Sequence, residues 1–235
     1  MQPVLLIAGW GFASHTLEPF GTHFPEPERC RYTNANELGS PEGLIELLKT
    51  FDDPPQVVGW SLGGMYAIEA ARQEPDLINS MILLSTTLRF LEDDDYLWGF
   101  PPANLRALRL GLRKDPEATL QKFAAEACIP QSTDILPDDC FYLEPEALTR
   151  GLDYLEKTDL RSTNFAAMPP SCVFHGKQDR IMPVNAGRMV SEKLNSLMLM
   201  RYDRPGHLLP LELPHYIIPA AQYYFEKARK NAADA

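Results

Sequence analysis

Basic charge is what this sequence is short of. Its 22 Lys and Arg residues stand against 32 Asp and Glu, for a formal net charge of −10. That balance argues against a general nucleic-acid binder, because phosphate recognition needs a basic surface. Cysteine is scarce too. Cys30, Cys128, Cys140 and Cys172 are scattered, with no C-x-x-C pair and no metal-type spacing. They read as reduced thiols rather than a disulfide scaffold or a zinc site, which predicts a cytoplasmic protein. Long hydrophobic runs are missing as well. The apolar start, Val4–Ala8, has no basic region before it and is too short for a signal peptide or a membrane span. It reads as a buried strand.

What is present is ordinary for a globular chain: 235 residues, 45% hydrophobic and 23% charged. That length suits one α/β domain with an insertion, or two small domains, and allows a substantial core. Val4–Ala8, Gln56–Trp60 and Ser80–Leu84 have the strand character of a parallel sheet buried on both faces. Ser171–His175 and a run near Leu197–Tyr202 follow much later, and Cys30–Thr33 is a weaker candidate. Helices are predicted over Pro41–Phe51, Leu62–Glu74, Val184–Leu194 and within Tyr216–Ala232, the second ending where Pro75 disfavours helix in the residue before it. Alternating strands and helices predict a doubly wound α/β sheet with right-handed crossovers.

Between residues 87 and 168 the rhythm changes. Strand-like runs vanish, and helical stretches appear over Asn104–Lys114, Asp115–Cys128 and Glu144–Lys157. Asp115-Pro116-Glu117 is a good helix start, with an acid at the N-cap, proline next and another acid in the first turn. The expectation is a core of residues 1–86 and 169–235 carrying a helical cap at 87–168. The acidic run Glu92–Asp95 reads as a solvated loop, and the polar tail from Ala228 as a frayed end.

The most informative stretch is Gln56-Val57-Val58-Gly59-Trp60-Ser61-Leu62-Gly63-Gly64. An apolar strand runs into a serine between glycines and passes at once into a helix, the context in which G-x-S-x-G is a nucleophile elbow. A serine hydroxyl is a poor nucleophile until a neighbouring imidazole takes its proton. In α/β-hydrolase order the acid and then the histidine follow the serine. Asp179 lies in the loop after the Ser171–His175 strand, and His207 in Arg204-Pro205-Gly206-His207 after the last strand. Asp179 would hold the His207 imidazole in the right tautomer. Asp203 and Asp159 are alternative acids, and His15, His23, His175 and His215 alternative bases. His175 reads better as a support for the strand-end loop.

A tetrahedral intermediate needs donors aimed at its oxyanion. The backbone N–H of Leu62, directly after the serine, is one candidate, and that of Trp10 in Ala8-Gly9-Trp10-Gly11 is the other. The indoles of Trp10 and Trp60 are candidates for substrate contact or for plain core packing. The chemistry calls for no metal and no dissociable cofactor.

With these residues placed, the chain resembles the pimeloyl-acyl carrier protein methyl ester carboxylesterases of biotin synthesis. G-W-S-L-G-G at Gly59–Gly64 and G-W-G at Gly9–Gly11 match that group. Gly151-Leu152-Asp153-Tyr154-Leu155-Glu156-Lys157-Thr158-Asp159-Leu160-Arg161 is similar to the family's G-L-x-x-L-x-x-x-D-L-R run, where the cap returns to the sheet. The resemblance implies that Ser61 attacks the terminal ester of a pimeloyl chain carried on acyl carrier protein, releasing methanol and committing the chain to biotin. Three departures stand out. Ala8 replaces the usual histidine, Val4–Ala8 falls where the family's third strand lies, and Thr33–Gly39 replaces a glycine-rich loop.

An acidic carrier needs a local basic patch on an acidic partner. Arg106, Arg109 and Arg113 fall at i, i+3 and i+7 on one helical face, with Lys114 beside them, while Leu105, Leu108 and Leu112 line an adjacent face. Arg150, Lys157 and Arg161 would extend that patch, and Asp153, Glu156 and Asp159 would dilute it. The competing readings are a solvated helix face on an esterase or thioesterase of small free substrates, and a non-catalytic binding protein on the same fold.

Overall fold

A computed structural model describes residues 2–233. Six strands form one wholly parallel sheet: β1 (Val4–Ala8), β2 (Cys30–Asn34), β3 (Gln56–Trp60), β4 (Ser80–Leu84), β5 (Ser171–Gly176) and β6 (Met198–Tyr202), in the order β2-β1-β3-β4-β5-β6. The central strands β1, β4 and β5 are buried at every position, whereas the edges β2 and β6 are partly open. Leu5, Leu6 and Ile7 of β1 are almost fully buried, each burial stabilising the fold by about 1.5–3 kcal/mol.

The long helices are α1 (Pro41–Leu48), α2 (Leu62–Gln73), α3 (Pro102–Lys114), α4 (Pro116–Cys128), α5 (Pro145–Lys157), α6 (Val184–Leu194) and α7 (Pro214–Ala233). The strand order reverses between β1 and β3, because β1 leads outward to β2 while β3 starts the run toward β6. In open α/β sheets, ligands gather outside the carboxyl ends of the strands at such a reversal. Here those ends are Ala8 and Trp60, so the two segments that follow, beginning at Gly9 and Ser61, meet at the switch point.

Helices α3, α4 and α5 all fall between β4 and β5 in the chain, with α3 packed on both α4 and α5. The Asp115 carboxylate accepts the Ala118 N–H at 3.0 Å, capping α4 as its sequence predicts. The structure refines the sequence reading at several points. Helix α1 stops at Leu48, and Lys49–Phe51 close in tight turns. Thr33–Gly39 holds a one-turn helix, Ala35–Leu38, capped by Asn34. The Glu92–Asp95 loop is tied down, with Asp93 accepting from Arg161 at 2.9 Å. Finally, α7 continues through Ala233, and the last two residues lie outside the described ones.

Candidate active site

Ser61 follows β3 directly and precedes α2, with φ 56° and ψ −118°. A residue with a side chain takes that conformation only when its surroundings enforce it. Here the Ser61 N–H donates to Leu84 O of β4 at 2.9 Å, and the Ser61 carbonyl accepts from Thr86 Oγ1 at 2.7 Å. Close approach of α2 to β1 demands glycine at position 63, where a Cβ would stand 2.5 Å from Ile7 O.

His207 lies on the loop after β6 and is fully buried. Its Nε2 lies 3.0 Å from Ser61 Oγ and its Nδ1 lies 2.8 Å from Asp179 Oδ2. A carboxylate only accepts, so Nδ1 carries the proton and Nε2 is free to accept the serine hydroxyl. Asp179 sits on the loop after β5, its other oxygen accepting the N–H groups of Ile181 and Met182 at 2.9 and 2.8 Å. Burial pushes the Asp179 carboxyl upward. The attraction of His207 and hydrogen bonds from His175 and His207 outweigh it and hold the group below the usual carboxylate range.

The alternatives weighed from sequence lie elsewhere. Asp159 is bound by Arg161, and Asp203 is an exposed partner of Lys177. His15 Nε2 lies 3.3 Å from Asp138 O, and the rings of His23 and His215 are tilted to each other with centroids 6.3 Å apart. His175 is buried beneath Asp179, its Nε2 donating to Met182 O at 2.8 Å.

Gly9 lies against the serine: a Cβ there would be 2.9 Å from Ser61 Cβ and 3.5 Å from Oγ. The next amide, Trp10 N–H, and the Leu62 N–H at the start of α2 have no protein acceptor among the described residues. Asn36 braces this loop, its Oδ1 accepting Gly11 N–H at 3.3 Å and its Nδ2 reaching Gly9 O at 3.5 Å. Sequence reasoning missed Asn36 and Thr86. Single polar residues outside any periodic pattern leave no mark that would have found them.

Two expectations need correction. Both indoles are buried and hydrogen-bonded inward, Trp10 Nε1 to Leu148 O and Trp60 Nε1 to His207 O, each at 2.9 Å. The Trp60 ring packs on Phe12 and His207, so it braces the site rather than offering an open face to substrate. Arg109 does not share the open basic face of α3. It turns to α5 and pairs with Asp153 at 2.6 Å and Glu156 at 2.7 Å. Arg106, Arg113 and Lys114 remain exposed and make no ion pair among the described residues, and Leu110 is 53% exposed between them.

A cleft of about 520 Å³ opens between α3 and α4. Phe100, Leu108, Phe123 and Ile181 line it, with exposed Lys122 and Arg180 at its edge. Phe123 stands edge-on to Trp10 with centroids 5.0 Å apart, so the cleft lies one side chain from the Gly9–Trp10 loop. A second cavity of about 450 Å³, at the amino ends of β1 and β3, touches none of Ser61, Asp179 and His207. The described residues hold no group of His, Cys, Asp and Glu suited to a metal ion.

A serine–imidazole–carboxylate chain on a parallel α/β sheet is the arrangement for covalent acyl transfer, and the chain belongs to the alpha/beta hydrolase fold family, whose model matches residues 44–214. Among curated relatives it is similar to the pimeloyl-[acyl-carrier protein] methyl ester esterase of Chromobacterium violaceum, 32% identical over 87% of this chain and 86% of that one. The enzyme of the same name from Methylococcus capsulatus is 30% identical over 87% of each chain. Among solved structures, an esterase from Exiguobacterium antarcticum superposes with a TM-score of 0.77 at 17% identity, covering 95% of this chain and 92% of that one. At that identity the likeness concerns the fold alone. No helix among the described residues is long and apolar enough to cross a membrane.

Proposed function

We propose that this chain is a serine carboxylesterase that hydrolyses the methyl ester of a pimeloyl chain carried on acyl carrier protein, in the cytoplasm. The hydrogen-bonded run Ser61–His207–Asp179 carries the chemical half of that reading. The likeness to curated esterases of that name over most of the chain carries the substrate half. Ser61 Oγ gives its proton to His207 Nε2 and attacks the ester carbonyl. The oxyanion forms against the Leu62 and Trp10 N–H groups, whose backbone donors need no reorganisation. The imidazolium returns the proton to the departing methoxide, so methanol leaves. Water, deprotonated by His207, then cleaves the acyl-enzyme to the free carboxylate and regenerates Ser61. Asp179 keeps the Nδ1 proton in place and stabilises the imidazolium throughout.

In this reading residues 87–168 form a cap, and the α3–α4 cleft admits the acyl chain. Arg106, Arg113 and Lys114 face the acidic carrier, with Leu110 as an apolar contact among them. One observation favours a second reading, an esterase of small free substrates. Arg109 is neutralised by Asp153 and Glu156, which thins the basic face on a chain of net charge −10.

The deciding experiment compares hydrolysis of pimeloyl-acyl carrier protein methyl ester with that of a short p-nitrophenyl ester, for wild type and Ser61→Ala. Much faster turnover of the carrier-linked ester, lost on substitution, is the expected result. Activity confined to the short ester would leave Ser61 catalytic and remove the carrier from the assignment.

A further inference from the structure

Asp179 Oδ2 has a second neighbour besides His207. The side chain of His175, four residues earlier at the end of β5, places its Nε2 3.3 Å from the same oxygen. That nitrogen also lies 2.8 Å from Met182 O, which can only accept, so Nε2 carries a proton that it donates to this carbonyl, with the carboxylate close beside it. Nδ1 on the other side of the ring has no partner among the described residues. It faces Gly187 of α6, where a Cβ would come within 2.4 Å of it. The absence of a side chain at Gly187 therefore lets the imidazole reach under the carboxylate. Asp179 thus accepts three hydrogen bonds, two from backbone amides on Oδ1 and one from His207 on Oδ2, with the His175 Nε2 as a fourth nitrogen 3.3 Å from Oδ2.

We infer that His175 is a positioning residue for the reaction. It fixes Asp179 Oδ2 on the His207 Nδ1–H and takes up part of the carboxylate charge that would otherwise act on His207 alone. The inference rests on the reading of Ser61, His207 and Asp179 as one catalytic chain. A carboxylate that gives up a donor interacts more strongly with those it keeps, so losing His175 tightens the hold of Asp179 on the His207 imidazolium. The other charged groups near Asp179 are few. Glu212 accepts Gly206 N–H beside His207, its carboxyl pushed up chiefly by burial, and Arg180 is turned outward to Glu126 at 3.7 Å. Neither supplies a donor to Oδ2.

The test is the pH profile of kcat/KM on a p-nitrophenyl ester for the wild type and for His175→Phe, His175→Gln and His175→Asn, each also carrying Ser61→Ala as a control. Phe fills the ring's space and donates nothing. Gln carries an amide to the Nε2 position, and Asn carries one only as far as Nδ1. Phe and Asn are expected to lower kcat about tenfold with KM little changed, and to move the acid limb about half a pH unit upward. Gln is expected to restore both. If the Phe variant fails to fold, the contrast between Gln and Asn decides. A Ser61-dependent activity whose acid limb is the same with Gln and Asn would overturn the role of His175 alone. Activity surviving Ser61→Ala would overturn the catalytic chain and this inference with it.

Discussion

The indole of Trp60 donates to the main-chain carbonyl of His207 at 2.9 Å. The last residue of β3 thus holds the loop that brings the imidazole to Ser61, so the strand that leads into this serine also bears on the Ser61–His207 distance. Trp60→Phe keeps most of the buried ring and removes the N–H. It is expected to lower kcat about tenfold while KM stays within about twofold, and to destabilise the fold by about 1–3 kcal/mol through the orphaned carbonyl. Steady-state kinetics and urea denaturation read the two effects separately. A Phe variant with wild-type kcat would show that the loop needs no such tie.

Ser61 stores strain at φ 56°. Glycine adopts positive φ without the Cβ penalty, whereas alanine keeps it. Ser61→Gly is therefore expected to gain about 1 kcal/mol in urea denaturation relative to Ser61→Ala, and both variants to be inactive. Equal stability of the two would mean that the elbow is unstrained.

Asp179 makes a pH-dependent contribution to stability whose sign follows from its lowered carboxyl. In the unfolded chain an aspartate titrates near ~3.9. In the fold it holds its charge to lower pH, so the native state binds fewer protons in that window. The stabilisation is present above about pH 4 and is lost as pH falls through the lowered folded value. Asp179→Asn should melt below wild type at pH 7, and the gap should close as pH drops under about 4. A gap that stays constant across that range would show that hydrogen-bond geometry, and not charge, sets it.

The open and the paired arginines of α3 should separate by substrate. Arg106→Glu with Arg113→Glu is expected to raise KM for the carrier-linked ester about tenfold and to leave a p-nitrophenyl ester unaffected. Arg109→Ala, by contrast, loosens α3 from α5. The carboxylates it pairs with are about half exposed, so it should cost about 1 kcal/mol of stability. Equal effects of all three on both substrates would count against a docking face.

How much of this was legible in the sequence depended on burial. β1 is apolar throughout, β3 and β4 are apolar after their first residues Gln56 and Ser80, and the limits of all three match the residues read from sequence alone. β2 was faint because an edge strand is free to carry Cys30, Arg31 and Thr33. Ser61, Asp179 and His207 could be picked out because each sits just past a strand end in a fixed chain order. The turn of Arg109 toward α5 could not be read. The periodicity of α3 assigns a face to each residue, but not the neighbour that the face meets. Spacing sets His175 four residues before Asp179, yet only the curl of the 179–182 turn brings their side chains together.

Trp10 is gripped at both ends. Its indole is tied to the Leu148 carbonyl in α5, and its main-chain amide belongs to the loop that Asn36 braces against Ser61. A shift of α5 would therefore pull on Trp10 and disturb the place of its amide beside Ser61. The tie at α5 is a hydrogen bond, whereas α4 meets the same loop through the packing of Phe123 on Trp10 and of Leu120 beside Gly11, apolar contacts that fix no direction.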